Sequence, residues 1–138
     1  MITLAETRRV IAAAEQRAQS IGQPMNIAVV DAGGNLVAHV RMDKAWIGSV
    51  DVAINKAWTA RAFDISTKDM AQFTQSGGVF FGIHVSNHGR VMIFAGGIPL
   101  KRSGDAGVRY VPTGCSTIVN IGLSVEQRGS SSTSCLNV

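Results

Sequence analysis

The sequence predicts an α+β domain in which an antiparallel sheet carries helices. Three observations lead there: a capped amphipathic run near the start, two strand-like stretches each broken by a glycine- or asparagine-bearing turn, and an alanine-rich helical period between them. With 138 residues, 46% hydrophobic and 16% charged, the chain is long enough for one domain with a real core and too short for two.

Thr3-Leu4-Ala5-Glu6 has the form of a capping box, in which the threonine hydroxyl accepts from the glutamate amide while the glutamate reaches back. Gly22 supplies the matching stop, so the first helix is expected over about 4–21. Leu4, Ile11, Ala14, Ala18 and Ile21 recur at helical spacing and mark its buried face, with Arg8, Arg9, Glu15 and Arg17 elsewhere on the wheel. After Pro24, residues 25–31 read as a strand, Ala32-Gly33-Gly34-Asn35 as a turn and residues 36–42 as the antiparallel return. Val29 and Val30 lie in a nearly unbroken apolar run, which suits a central strand covered on both faces.

Helical periodicity returns over 47–63, where Val50, Ile54, Ala57 and Trp58 form a broad band whose small residues allow another backbone to approach closely. A short helix over 67–74 follows, capped by Ser66 or Thr67. Beyond the flexible Ser76-Gly77-Gly78, strands are expected at 79–85 and 91–95, joined by a turn at 87–90 into a second hairpin. Gly96-Gly97-Ile98-Pro99-Leu100 then closes the last strand; two glycines permit positive φ or close backbone approach, and Pro99 stiffens the exit.

Composition limits the function classes. The formal charge of +4 is spread over scattered Lys and Arg residues, without the basic run that nucleic-acid binding favours, and equally suits an anionic small molecule. No window approaches the ~18 apolar residues of a membrane span, and Met1-Ile2-Thr3-Leu4-Ala5-Glu6 lacks a basic region followed by an apolar one, so a cytoplasmic, soluble protein is expected. Cys115 and Cys135 show neither CxxC spacing nor a disulfide framework. A nucleophile elbow, a metalloprotease HExxH, a P-loop and a dinucleotide GxGxxG are all absent, which weakens hydrolase and oxidoreductase readings.

The stretch Arg41 to Phe63, with Asn55-Lys56-Ala57-Trp58-Thr59-Ala60 at its heart, and the later Gly96-Gly97-Ile98-Pro99-Leu100 resemble the GlcG/HbpS family of small heme-associated domains (DUF336), which includes a domain fused to PduO-type cobalamin adenosyltransferases. The resemblance runs from about Ile2 to Lys101. It implies a profilin-like α+β sandwich with an antiparallel sheet of about five strands and a C-terminal helix, a heme cofactor, and homo-oligomers in which dimers build into hexamers or octamers. The implied function is heme binding in trafficking, iron release or oxidative protection. The alternative is a carboxylate-binding enzyme or accessory protein of a catabolic operon.

The sequence departs from the family after Arg102, and ends in the serine-rich 130–134. Either Ile121 to Gln127 is a shortened remnant of the family's strand and turn, or a shifted reading frame replaced the native end. The expected division is a domain over 1–125 and a mobile tail over 126–138.

Among candidate site residues, Lys56 sits amid Ala53, Ile54, Ala57 and Trp58, and must either snorkel outward or meet an anion. Arg41 and Asp43 form a surface ion pair or, with Lys56 and Thr59, the mouth of a pocket in which Asp43 serves as a general base. Gly96, Gly97 and Pro99 would complete that pocket by resemblance. His39, His84 and His88 have no HxH or HxxxH spacing; His84, beside Gly77-Gly78 in the expected second hairpin, leads as the heme-iron ligand. Finally, the face Ala53, Ala57, Ala60 and Phe63, together with Trp46, is expected to seek a partner subunit, giving a dimer at least.

Overall fold

Sequence periodicity and turn chemistry build the first 75 residues as expected. The structure, a computed structural model, describes residues 2–100 and the backbone of 116–121. Helix α1 spans Leu4–Ser20 and opens on the capping box: the Glu6 amide donates to Thr3 Oγ1 at 3.2 Å, and the Thr3 amide donates to Glu6 Oε2 at 2.8 Å. Strands β1 (Asn26–Val30) and β2 (Leu36–Arg41) form the first hairpin. Asp31 holds its turn, accepting from the amides of Gly33 and Asn35. Helices α2 (Ser49–Ala62) and α3 (Thr67–Thr74) follow, the latter capped by Ser66.

All five residues of β1 are buried, and they alternate between two cores. Ile27 and Val29 pack on Ile11, Ala14 and Ala18 of α1, whereas Ala28 and Val30 pack on Ala53 and Ala57 of α2. The two helices therefore cover opposite faces of the sheet, and the nearly continuous apolar run of β1 is what a strand covered on both sides requires. The sheet is antiparallel in the order β2-β1-β4-β3, with β3 at Gly97–Leu100 and β4 at Ser116–Ile121.

The second hairpin is placed differently from the expectation. Residues 79–85 and 91–95 are not strands; two single turns of 3₁₀ helix, Ile83–Val85 and Asn87–Gly89, occupy this region. The strand pair is instead β3 with β4, so Gly97 to Leu100 begins a strand rather than closing one. Left-handed backbone at Gly77, Gly82, Asn87, His88 and Gly89 bends the chain too often for a ladder to form. Helix α2 then supplies the partners a neighbouring strand would have provided. The Met92 amide donates to Thr59 Oγ1 at 3.0 Å, the Thr59 hydroxyl reaches Arg90 O at 3.2 Å and Asn55 O at 2.7 Å, and Lys56 Nζ donates to Ala95 O at 2.6 Å.

Four strands thus stand among the described residues, where about five were expected. Strand β4 ends at Ile121, where a remnant strand had been expected to begin, and pairs with both β1 and β3. The expected C-terminal helix and the mobile tail over 126–138 lie outside the described residues.

Thr59→Val keeps the side-chain shape and removes every hydrogen bond of the hydroxyl, leaving the Met92 amide without its acceptor. We expect a loss of about 1–3 kcal/mol in denaturant unfolding and faster amide exchange at Met92. An unchanged midpoint and unchanged exchange would show that α2 does not hold this segment.

Candidate functional site

The densest polar arrangement lies where α2 meets the segment 90–97. Close approach is possible because α2 presents alanines to the sheet and because residue 97 is glycine. A Cβ at Gly97 would stand 2.7 Å from Lys56 O and 2.9 Å from Thr67 Cγ2, and the Gly97 amide donates to Thr67 Oγ1 at 2.8 Å. Gly96, at φ 132°, occupies backbone that only glycine adopts readily. Pro99 lies within β3, at the edge of the sheet among the described residues, where a residue lacking an N–H is tolerated.

Lys56 does not snorkel: the side chain is 1% exposed. Its Nζ is 2.6 Å from Ala95 O and 3.6 Å from the centre of the Phe94 ring, and among the described residues no carboxylate lies within ion-pair distance. Burial pushes the amine down from 10.5 to about 7. Next to Lys56 along α2, Arg90 lies over the Trp58 ring at 4.6 Å and donates to Asn55 Oδ1 at 3.3 Å.

Lys56, Thr59, Gly96 and Gly97 therefore come together, with Pro99 two residues further along β3. Arg41 and Asp43 do not join them. Arg41 ends β2, at the opposite edge of the sheet from β3 and about three strand spacings, or roughly 14 Å, away. No ion pair links it to Asp43; its guanidinium instead donates to Ala45 O at 3.0 Å, and both side chains are exposed. The single pocket mouth expected from these four residues is not what the fold builds.

The histidines separate by environment. His39 lies on β2 opposite Ala28, with a buried Nε2 that has no partner among the described residues; desolvation first, then the nearby Arg41 charge, lowers its pKa. His88 is exposed, in left-handed backbone. His84 has a buried Nδ1 without a partner among the described residues and meets Phe81 edge to face at 6.5 Å. Around it Val79, Phe80, Phe81 and Val85 form the most exposed apolar segment described, with Val79 82% and Phe81 63% exposed. Phe73 joins this face through a T-shaped contact with Phe80 at 6.4 Å. Sequence reasoning had assigned Phe80 and Phe81 to a strand interior; the glycines on both sides, Gly77-Gly78 and Gly82, were the signal that the apolar run stays at the surface. Phe94, Arg90 and the Ala95 carbonyl were missed because nothing local links them to α2.

The family description "Haem degrading protein HbpS-like" matches residues 2–111. The chain belongs to the HbpS-like family. It is 37% identical, over 103 residues, to an uncharacterized 15.0 kDa protein encoded in the dhaT-dhaS intergenic region of Citrobacter freundii; the match spans 75% of this chain and 72% of that protein. Its fold is similar to Klebsiella pneumoniae protein ORFY, a DUF336 protein, at TM-score 0.79 and 31% identity over 89% of this chain and 79% of ORFY. It is similar also to a PduOC:heme complex, at TM-score 0.78 and 29% identity over 90% of this chain and 84% of that one. Among the described residues no helix of this HbpS-like chain is long and apolar enough to cross a membrane.

A lysine that folding brings from 10.5 to about 7 makes stability depend on pH. Between these values the unfolded chain binds more protons than the folded one, so Lys56 lowers stability most near and below neutral pH, and that penalty fades as pH rises toward 10.5. The stability of the wild type minus that of Lys56→Met should therefore rise with pH over this window, by at most about 1.4 kcal/mol per pH unit. Parallel denaturation profiles for the two proteins would show that Lys56 is charged in the folded state.

Proposed function

We propose that the chain binds heme, with His84 ligating the iron and the face of Phe73, Phe80 and Phe81 bearing on the macrocycle. The observation that carries this reading is His84 itself: a half-buried imidazole with a buried nitrogen that has no partner among the described residues, set in a segment of exposed aromatic and aliphatic side chains. A buried polar atom without a partner costs about 1–3 kcal/mol, and contiguous exposed apolar surface usually marks a binding face. A planar apolar ligand covers the exposed aromatic face, and the imidazole beside that face is a side chain able to ligate an iron at its centre. The likeness to the PduOC:heme complex and to the HbpS-like family supports the same ligand class. Such binding suits heme trafficking, iron release or oxidative protection. In this reading Lys56, Thr59, Gly96, Gly97 and Pro99 are the frame that holds Phe94 and the preceding loop; Arg41 and Asp43 lie apart from it.

Hemin titration tests the proposal. The wild type should shift the Soret band at micromolar protein, and His84→Ala should weaken binding about tenfold or more, equivalent to about 1.4 kcal/mol, with His39→Ala and His88→Ala close to wild type. A free-hemin spectrum with the wild type would overturn heme binding; equal behaviour of the three variants would overturn only the ligand.

We also propose self-association to a dimer or larger ring, through only part of the face first expected. Ala53, Ala57 and Ala60 are fully buried inside the subunit, which leaves Trp46, 54% exposed, and the neighbouring Ile47 as the apolar surface offered to a partner. Light scattering after size exclusion should give at least twice the 14.6 kDa chain mass at tens of micromolar. A stable monomer mass refutes it.

A further inference from the structure

An arginine held in one conformation by its protein ordinarily gives most of its N–H bonds to carboxylates or carbonyls of that protein. Arg90 is held at its backbone, at Nε and at the face of its guanidinium. Its amide donates to Asn87 O at 3.2 Å, and its carbonyl accepts from Thr59 Oγ1 at 3.2 Å. Nε donates to Asn55 Oδ1 at 3.3 Å, and the guanidinium lies over the Trp58 ring at 4.6 Å. The indole beneath it is boxed in as well: a Cβ at Gly34 would stand 2.9 Å from Trp58 Cδ1, and Phe63 meets the ring edge to face at 6.5 Å.

A guanidinium has five N–H bonds, and the protein uses only the one on Nε here. Among the described residues neither Nη1 nor Nη2 of Arg90 has a hydrogen-bond partner, and no carboxylate lies within ion-pair distance. The side chain is half-buried, yet neither terminal nitrogen is closed off from solvent. Neighbouring cations are engaged elsewhere: Arg61 donates to Ala32 O and pairs with Asp64, and Lys56 donates to Ala95 O beneath Phe94. The place therefore carries one unmatched positive charge, on a fork whose position folding has already set.

We propose that Arg90, fixed by Trp58 and Asn55, binds the carboxylate of a small molecule through Nη1 and Nη2. The planar fork matches the two oxygens of a planar carboxylate in parallel hydrogen bonds. Because the guanidinium is already ordered, the ligand immobilises no long side chain on binding. A single positive charge suits a monoanion; a phosphate group, with nearly two negative charges at neutral pH, calls for a second cation. The carboxylate has two possible sources: a free carboxylic acid, or a propionate of heme ligated by His84 on the same loop. The second source rests on the heme reading, and the first does not.

Propionate tests the site in the full-length Trp46→Phe protein, where Trp58 is the remaining tryptophan. At fixed ionic strength and neutral pH, propionate should change the Trp58 emission saturably, half-complete at about 1–10 mM, whereas the neutral propionamide should not. Arg90→Gln should raise that concentration about tenfold or more, and Arg90→Lys, which keeps the charge without the fork, about threefold or more. Thermal melting followed by circular dichroism checks that both variants fold. An unsaturated response to propionate, or the same response in Arg90→Gln, would overturn the proposal. Equal binding by Arg90→Lys or tighter binding of inorganic phosphate would overturn it too, since either reports bare charge. Hemin titration then identifies the source: a tenfold loss of affinity in Arg90→Gln assigns the heme propionate, and unchanged affinity assigns a free carboxylate. A wild type without a Soret shift removes the heme reading alone, because Trp58 emission still reports on Arg90.

Discussion

The close approach of α2 to the rest of the molecule is the constraint on which the other features depend. Alanines at 53, 57 and 60 let the helix backbone lie near the sheet, and Gly97 lets a strand pass against the carbonyl of Lys56. At that separation, side chains on the flank of α2 cannot reach solvent. Thr59 and Lys56 are therefore enclosed, and their polar atoms must find partners within the protein. They find them in the backbone of 90–95, whose ladder partners are missing because the chain before it is bent by left-handed residues. One geometric fact, small residues at the contact, thus explains both the buried lysine and the irregular segment that it holds.

The same packing separates two chemistries. Beneath Phe94 lies a desolvated amine with a carbonyl for company, whereas the outer side of the loop exposes Phe80, Phe81 and Val85 beside His84. The apolar loop contributes nothing to either core cluster; Ile27, Val29 and their neighbours hold one face of the sheet and Ala28 with Val30 the other. Exposed aromatics and folding core are drawn from different residues, which allows the loop to keep its aromatics exposed without loss of the sheet.

Legibility in the sequence followed the range of the interactions concerned. The capping box at Thr3 and Glu6, the first hairpin with its Asp31 turn, the burial of β1 and the Ser66 cap are set by residues within four or five positions of one another, and each was legible. Membership of the HbpS-like family, whose match spans residues 2–111, was legible too, from Arg41 to Phe63 and from Gly96 to Leu100. The stretch 79–95 was misread because β-prone residues such as Val79, Phe80 and Val91 were weighed above the glycines between them, and no local rule says which of the two prevails.

The sequence by itself determined the α+β class, the helix limits to within a residue or two and the central strand. Tertiary structure alone decided that Lys56 is buried rather than snorkelling, that the alanine face is covered within the subunit, that Arg41 ends a strand three places from β3 in the described sheet, and that Gly97 starts a strand. Those outcomes rest on contacts between residues some 30 to 40 positions apart, Lys56 with Ala95 and Thr67 with Gly97 among them. Periodicity reports which face of an element is apolar. It carries no information on which distant backbone will arrive to cover that face, and it is this arrival that fixes solvent exposure, ionisation and the neighbours of a site.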